Sequence, residues 1–196
     1  MASLPDRPEP PAQGSALAAN LRALRRERGL TLEDLAARSG VSRAMISKVE
    51  RGTATPTATV LGRLATGLEV GLSRLLGAAR DRGPVLLTAT EQTVFADPAS
   101  GFVRRSVSPL FPDRFLDLAM NRLEPGGRVD FPPHHRGVEE YLHVLRGTVE
   151  VIVDGARFTV PAGDTLFYAG DRPHAFVNAT AEPAEFMVAI DGSGAR

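Results

Sequence analysis

The chain has 196 residues, of which 43% are hydrophobic and 6% aromatic, a length that suits one large or two small globular domains. It contains no cysteine, which excludes a disulfide framework, thiol catalysis and any cysteine-ligated zinc or iron–sulfur site, and fits a reducing compartment. No apolar run approaches the roughly 18–20 residues of a membrane helix, and the N-terminal segment lacks the pattern of a signal peptide. We therefore expect a soluble, cytoplasmic protein with no membrane partner.

The formal net charge of zero conceals an uneven distribution of charge along the chain. Residues 1–80 carry 12 Lys and Arg against 7 Asp and Glu, a net charge of +5, whereas residues 81–196 carry 11 against 16, a net charge of −5. Such asymmetry is typical of a protein in which one half meets a polyanion. Two neighbouring domains with unrelated surfaces would show the same pattern.

Apolar periodicity predicts a helical N-terminal half after a disordered tail. Residues 1–14 are rich in proline and aperiodic, which is typical of disorder. Between residues 15 and 77, apolar side chains recur at helical spacing and predict five short helices. The first helix ends at Gly29, and Thr31 and Ser42 occupy the N-cap positions of the second and third.

The second half has the alternating pattern of strands. Residues 78–87 form a predicted linker, and short runs with period-two hydrophobicity fill residues 88–192. Asp154-Gly155 between two such runs is a strong hairpin signal. Because no helical run interrupts them, these strands indicate an antiparallel sandwich or barrel. The predicted fold class is α+β in two domains, an all-α five-helix bundle followed by an antiparallel β-barrel.

Residues 31–52, with the sequence TLEDLAARSGVSRAMISKVERG, contain two helices joined by a tight turn at Gly40. In such a unit the second helix can lie in the major groove of DNA. The outward positions of that helix carry small, hydroxylated or basic side chains, which suit a groove: Ser42, Arg43, Ala44, Ser47, Lys48 and Arg51. A basic, solvated helix face in a protein–protein module would carry the same residue types.

Residues 16–76 resemble the helix-turn-helix domain of the phage-repressor-like (Xre/Cro/CI) family. The resemblance rests on LRALRRERGLTLEDLA, SGVSRAMISKVERG, Pro56 and GRLATGLEVGLSRLL, in that order and spacing. It implies base-facing positions on the third helix (Ser42, Arg43, Ala44 and Lys48) and positions facing the DNA backbone (Thr31, Ser47 and Arg51). It also implies a buried ion pair between Arg25 and Glu50.

All four histidines lie in the acidic half, and three of them fall within GGRVDFPPHHRGVEEYLHVLRG, residues 126–147. On one extended strand His134, Arg136 and Glu140 would share a face, because even spacing places side chains on the same side. With His174 from a later strand, the histidine and glutamate of this set are residue types that assemble a divalent metal site of zinc, iron, manganese or nickel. Adjacent histidines in a proline-rich loop are also often simply exposed to solvent.

The same segments resemble the two motifs of the cupin family, which implies a jelly-roll-like barrel. The first runs from Gly127 to Gly147, and the second runs from Gly155 through Pro161-Ala162-Gly163-Asp164 to Asn178. In metal-binding cupins the motifs supply H-x-H, Glu and a last His, which here fall on His134, Arg136, Glu140 and His174.

Arg136 therefore stands where the second histidine is expected. A three-ligand metal site is one implication, and an anion receptor built on the guanidinium of Arg136 is the other. His135 serves as a ligand only if the loop shifts by one residue, and His143 should point to the opposite face from Glu140.

These resemblances imply a one-component transcriptional regulator that is not an enzyme. It would bind double-stranded operator DNA, sense a small-molecule effector in the cupin domain and form a homodimer through that domain. The alternative is a mononuclear metal-dependent oxygenase or epoxidase with an appended helix-turn-helix domain, as in a known branch of such chains that acts on a phosphonate. A scaffold that only mediates oligomerisation is the third hypothesis.

Overall fold

The computed structural model describes residues 13–77, 84–111 and 115–193. The first helix begins at Gln13, and residues 1–12 of the expected disordered tail lie outside the described residues. Residues 78–83 of the expected linker also lie outside them, and residues 84–87 adopt no helix or strand. Within the described ranges, no helix combines the length and apolarity needed to cross a bilayer.

Within residues 13–77 the chain forms the five predicted helices. Their bounds are α1 Gln13–Glu27, α2 Leu32–Ser39, α3 Arg43–Glu50, α4 Ala58–Gly67 and α5 Leu72–Leu76. Leucines at helical spacing give the bundle its core, because one apolar stripe of each helix faces its neighbours. Among the fully buried ones are Leu21, Leu35, Leu61 and Leu75.

Ten strands follow in the described part of the second half. They are β1 Val94–Asp97, β2 Phe102–Ser106, β3 Leu116–Leu123, β4 Arg128–Phe131, β5 Glu139–Arg146, β6 Thr148–Val153, β7 Ala156–Pro161, β8 Thr165–Ala169, β9 His174–Val177 and β10 Ala184–Asp191. A six-stranded sheet in the order β1-β2-β3-β10-β5-β8 stands with a four-stranded sheet in the order β4-β9-β6-β7, and their strand pairs are antiparallel. This arrangement is the predicted jelly roll, although the ten strands form two sheets and not one closed barrel.

The hairpin predicted at Asp154-Gly155 joins β6 to β7. Both turn residues have positive φ, 49° for Asp154 and 84° for Gly155, as the two-residue type I′ turn requires. The turn fixes the register in which Val153 pairs with Ala156. Alternate residues of β6 are consequently directed into the core between the two sheets.

The helical domain packs directly on the β domain through α4 and β4. A Cβ atom added at Gly62 would lie 2.9 Å from Cδ1 of Phe131 and 3.3 Å from Cδ of Pro132. Glycine at this position therefore allows the helix to approach the strand closely. Apolar side chains of both domains form one continuous buried cluster.

Two buried aspartates of the β domain bind the first turns of two helices. The amide of Ala58 donates to Oδ2 of Asp97 at 3.0 Å, and the amide of Ser73 donates to Oδ2 of Asp117 at 3.1 Å. Amide groups at a helix N-terminus lack partners within the helix, and a carboxylate there is favoured by the helix dipole. The two domains are thus joined by polar as well as apolar contacts.

Candidate functional site

The turn between α2 and α3 is built by capping residues. Thr31 caps α2 in a capping box with Asp34, and Gly40 adopts the left-handed conformation with φ of 65°. The side-chain oxygen of Ser42 accepts a hydrogen bond from the amide of Met45 at 3.3 Å, which fixes the start of α3. These caps define where α2 ends and α3 begins.

Helix α3 buries one face and exposes the other. Ile46 and Val49 are 0% and 1% exposed and pack in the bundle core. The opposite face presents the residues of this helix and its flanks that were predicted to contact DNA: Ser42, Arg43, Ala44, Ser47, Lys48 and Arg51. Ser47 is half-buried, and the other five are exposed. This face of α3 is therefore open to solvent in the described structure.

The two arginines of this face have side-chain partners on the surface. Arg43 forms an ion pair with Glu33 of α2, and Nη1 of Arg51 donates to Oγ of Ser47 at 2.8 Å. The hydroxyl of Thr31 is occupied within its capping box. Exposed pairs of this kind contribute at most about 1 kcal/mol.

A bidentate ion pair anchors α3 to α1, as the sequence predicted. Nε and Nη2 of Arg25 donate to the two carboxylate oxygens of Glu50 at 2.7 and 2.9 Å, and Nη1 donates to the carbonyl oxygen of Leu30 at 2.7 Å. The hydrogen bond to Glu50 is the main reason that the pKa of Arg25 lies above its ordinary value. The pair fixes α3 relative to the bundle.

In the β domain, side chains from a loop and two strands bring three potential metal ligands together. Oε1 of Glu140 lies 2.8 Å from Nε2 of His134 and 3.4 Å from Nε2 of His174. His134 belongs to the loop before β5, and its amide donates to the carbonyl of Gly170 at 2.9 Å. Since a Cβ at Gly170 would lie 3.3 Å from both Glu140 and His134, glycine leaves space for this cluster.

The remaining polar atoms of the cluster are fixed by neighbours. Nδ1 of His174 lies 3.0 Å from the carbonyl oxygen of Arg172, which can only accept, so Nδ1 carries the proton. The hydroxyl of Tyr168 donates to Oε2 of Glu140 at 2.6 Å. Oε1 of Glu140, although buried, accepts no well-formed hydrogen bond from the described residues. In that tautomer Nε2 of His174 faces Oε1 of Glu140, 3.4 Å away.

The charge state of Glu140 follows from these neighbours. Burial alone would raise the pKa of its carboxyl group, but the proximity of the imidazoles of His174 and His134 and the hydrogen bond from Tyr168 outweigh burial and lower the pKa to about 2. Burial and the proximity of Glu140 together raise the pKa of Tyr168 well above its ordinary value. Near neutral pH the cluster thus holds a carboxylate and a protonated phenol.

A divalent metal ion fits this donor set. Two imidazole nitrogens and one carboxylate oxygen lie within 4.8 Å of one another, and the unsatisfied oxygen of Glu140 is among them. Two histidines and one carboxylate are a ligand set of mononuclear iron and zinc sites. A histidine that binds a metal through one ring nitrogen typically donates the N–H of the other to a carbonyl oxygen, as His174 does here.

The structure places the other predicted side chains elsewhere. Arg136 is exposed in the turn before β5 and does not line the cavity beside the cluster. Its even spacing from Glu140 does not put the two on one face, because Gly137 has φ of 87° and the chain bends there. His135 is half-buried outside the cluster, and burial lowers its pKa. His143 lies on the opposite face of β5 from Glu140, as expected, and contacts Thr165.

Arg104 is a residue of this region that the sequence pattern did not reveal. It lies on β2, is 4% exposed and lines the same cavity as His134, Glu140 and His174. The available signal was a pair of adjacent arginines in the apolar run FVRRSV, since strand alternation directs one of two neighbours inward.

The cavity is small and its wall includes the helical domain. Its volume is about 20 Å³, enough for a single water molecule or ion. Gly62 and Ala65 of α4 and Leu72 of α5 contribute to the wall. A larger open cleft of about 630 Å³ lies between the domains near Arg74 and Asp191, away from the histidine cluster. We place the candidate ligand site in the smaller cavity, because potential metal ligands converge there.

Family models match both halves of the chain. A helix-turn-helix model (HTH_3) matches residues 21–75, and a cupin domain model (Cupin_2) matches residues 119–190. The first range contains α2 and α3, and the second contains His134, Glu140 and His174.

Two curated relatives carry names of the same kind. The HTH-type transcriptional regulator SutR of Escherichia coli is 29% identical over 87% of this chain and 91% of the relative. The HTH-type transcriptional regulator DdrOP3 of Deinococcus deserti is 32% identical over 66% of this chain and 96% of the relative.

Solved structures show the same two-domain fold. The crystal structure of an HTH_3 family transcriptional regulator from Vibrio cholerae has a TM-score of 0.78 and 29% identity, and covers 91% of this chain and 96% of that one. The crystal structure of FeII HppE has a TM-score of 0.50 and 19% identity, with 91% and 99% covered. Because the identity to FeII HppE is only 19%, this similarity shows a shared fold alone.

Proposed function

The chain belongs to the helix-turn-helix family of transcriptional regulators and carries a cupin domain, and we propose that α3 reads operator DNA while the cupin cavity senses a small molecule. The exposed basic face of α3 supports the first part. In this proposal Arg43, in the first turn of α3, pairs with a guanine, and Lys48 reaches bases or phosphate. Thr31, Ser47 and Arg51 flank them toward the phosphate backbone.

Selection of bound fragments from the genome of the source organism, followed by footprinting, tests this proposal. We expect the full-length chain to protect a pseudo-palindrome whose half-sites are about 10 base pairs apart, one helical turn of DNA. Uniform, sequence-independent protection that disappears at physiological salt would contradict an operator-reading role.

We propose further that the chain forms a homodimer through the outer face of the six-stranded sheet. Tyr141 on β5 and Phe167 on β8 are paired in register, with ring centroids 5.0 Å apart, and are 43% and 52% exposed. The outward positions of β3 and β10 continue this apolar surface with half-buried side chains: Leu118, Met120, Met187 and Ala189. The face of an antiparallel sheet that is turned to solvent is normally polar. This apolar outer face is therefore suited to being buried against a second copy of the chain.

Replacing Tyr141 and Phe167 together by glutamate is expected to raise the dimer dissociation constant at least about a hundredfold, since each buried aromatic side chain contributes about 1.5–3 kcal/mol. Analytical ultracentrifugation measures the effect. Phe158→Glu is the matched control, because Phe158 is 42% exposed but lies on β7 of the other sheet. A double variant that remains as dimeric as this control would place the dimer contact elsewhere.

We propose that His134, Glu140 and His174 hold one divalent metal ion, which would act there as a Lewis acid toward an oxygen or nitrogen atom of the effector. Tyr168 keeps Oε1 of Glu140 directed toward the ion by engaging the other oxygen. The carbonyl of Arg172 keeps Nε2 of His174 free of a proton.

Elemental analysis of the purified chain is expected to find about one divalent ion per chain, lost in His174→Gln and Glu140→Gln. His143→Gln is the matched control, because His143 lies on β5 like Glu140 but faces away from the cluster. Retention of metal by His174→Gln, with loss in His135→Gln, would show that the loop supplies a different ligand set.

The enzyme alternative can be tested on the same preparation. Two histidines and a carboxylate are also the ligands of mononuclear iron oxygenases, so Fe(II) is added and oxygen uptake is followed. We expect no sustained uptake, since the relatives that match most of this chain carry the names of transcriptional regulators. Continued oxygen consumption that depends on Glu140 would contradict the sensor role.

A further inference from the structure

Arg104 takes part in two structures at once, the wall of the cavity and the contact between the domains. Its Nη2 donates to Oδ2 of Asp117 at 2.8 Å and to Oγ of Ser73, on α5, at 3.3 Å. Ser73 in turn donates to Oδ1 of Asp117 at 2.6 Å and lies 2.6 Å from Oγ of Ser106. The guanidinium group thus helps to hold the helical domain on the β domain.

The same guanidinium group has an unused donor. Nε of Arg104 is fully buried and meets no hydrogen-bond acceptor among the described residues. A buried donor without a partner is costly, and a charged one more so. Since Arg104 lines the cavity together with Glu140 and His174, a ligand atom in the cavity can supply the missing acceptor.

The charges around the cavity favour an anionic ligand group once a divalent ion is bound. The ion's charge of +2 exceeds the single negative charge of Glu140, and the charge of Arg104 is matched by that of Asp117. The net charge beside the cavity is then +1. A guanidinium fork binds a planar or tetrahedral oxyanion through parallel hydrogen bonds.

The size of the cavity makes ligand binding and domain packing compete. A volume of about 20 Å³ admits no carboxylate-bearing molecule, and α4 and α5 close one side through Gly62, Ala65 and Leu72. A larger ligand therefore enters only if these helices move away from the β domain. An acceptor that draws Arg104 toward the cavity also weakens its hydrogen bond to Ser73.

We propose that Arg104 is the effector-recognising residue, that the effector carries a carboxylate or phosphate group, and that its binding releases α5 from Arg104 and Ser73 and moves the helical domain. This inference rests on the proposed role of the cavity as the effector site. The effector acts because it binds the released arrangement more tightly than the described one.

Calorimetric titration of the full-length chain with acetate, succinate and inorganic phosphate, against chloride at equal ionic strength, tests recognition. We expect at least one oxyanion to bind, and Arg104→Lys to raise its dissociation constant at least about tenfold, because lysine keeps the charge but loses the fork. Arg136→Lys separates this proposal from recognition by the exposed arginine. Loss of binding in Arg136→Lys alone, or no binding of any of the three anions, overturns the proposal.

Ser73→Ala provides a second test that does not depend on the folding of an Arg104 variant. Removing the hydroxyl weakens the hold on α5, so the released state is more populated and the same oxyanion should bind several-fold more tightly. Unchanged or weaker binding in Ser73→Ala overturns the coupling between the cavity and α5.

Movement of the domains can be measured directly, because the chain has no cysteine. Arg63→Cys on α4 and Thr159→Cys on β7 are exposed sites for two spin labels, and labelled chain is diluted with unlabelled chain so that only distances within one chain are read. The bound oxyanion is expected to lengthen or broaden the distance distribution, and Arg104→Lys to abolish this change. Binding without any change in distance overturns the release step. These readings require no DNA, so failure to bind an operator would count against the proposed function alone.

Discussion

Replacing Arg43 and Lys48 together by alanine is expected to lower the affinity for a selected operator at least about a hundredfold, because each good base pair contact contributes about 1–3 kcal/mol of discrimination. Arg43 and its ion-pair partner Glu33 are both exposed, so the substitution removes no buried contact. The free energy of unfolding should therefore stay within about 0.5 kcal/mol of that of the unsubstituted chain. Fluorescence anisotropy with labelled operator at several salt concentrations measures both affinity and its salt dependence.

The matched control for this pair is Arg157→Ala with Arg172→Ala. These two arginines are exposed like the first pair, and their removal changes the net charge equally, but they lie on the β domain. A loss of operator affinity as large as that of the α3 variant would mean that overall charge, and not the face of α3, governs binding. A shallower salt dependence confined to the α3 variant is the expected outcome.

Arg25→Met is expected to lower the free energy of unfolding by about 3 kcal/mol. The reason is that the carboxylate of Glu50, with only 8% of its side chain exposed, loses both hydrogen bonds from Arg25, and a buried charge without a partner costs about 3–5 kcal/mol. The carbonyl of Leu30 loses its donor as well. Urea denaturation of the full-length chain measures the free energy of unfolding.

Two further variants show whether the charge or the packing is responsible. Arg74→Met removes an arginine that lies 4.0 Å from the carboxylate of the exposed Glu27, and should cost less than about 1 kcal/mol. Arg25→Met combined with Glu50→Leu removes both charges and should recover most of the lost stability. If the single Arg25 variant is no less stable than the Arg74 variant, the pair contributes only at the level of a surface contact.

The helical half was predictable because its information is local. Thr31 and Ser42 are capping residues at the starts of α2 and α3, and the leucine spacing defined which face of each helix is buried. The Asp154-Gly155 turn was predictable for the same reason, since two positive φ values are required within two residues.

The β-domain site was only partly predictable because it depends on contacts distant in sequence. Glu140 and His174 come from strands in different sheets, and the cupin motifs indicated both of them. The parity argument for Arg136 failed because it assumed an extended chain where Gly137 makes a bend. Arg104 was missed because β2 supplies neither motif, and only the folded topology brings it to the cavity.

The packing between the halves left still less trace in the sequence. Gly62 lies within a helical run, where glycine is normally unfavourable, and its close approach to Phe131 is visible only in the structure. Asp97 likewise carries no local sign that it serves a helix amide 39 residues earlier. Such contacts follow from tertiary structure and not from periodicity.

The apolar cluster shared by both halves bears on how such chains diversify. Since α4, α5 and the β domain bury surface against each other, a helical half taken from one relative would meet a mismatched partner in another. Recombination between relatives should therefore succeed mainly where the residues buried between the two domains are exchanged together. Residues that select the operator or the effector can then change independently of each other, while the residues buried between the two domains change slowly.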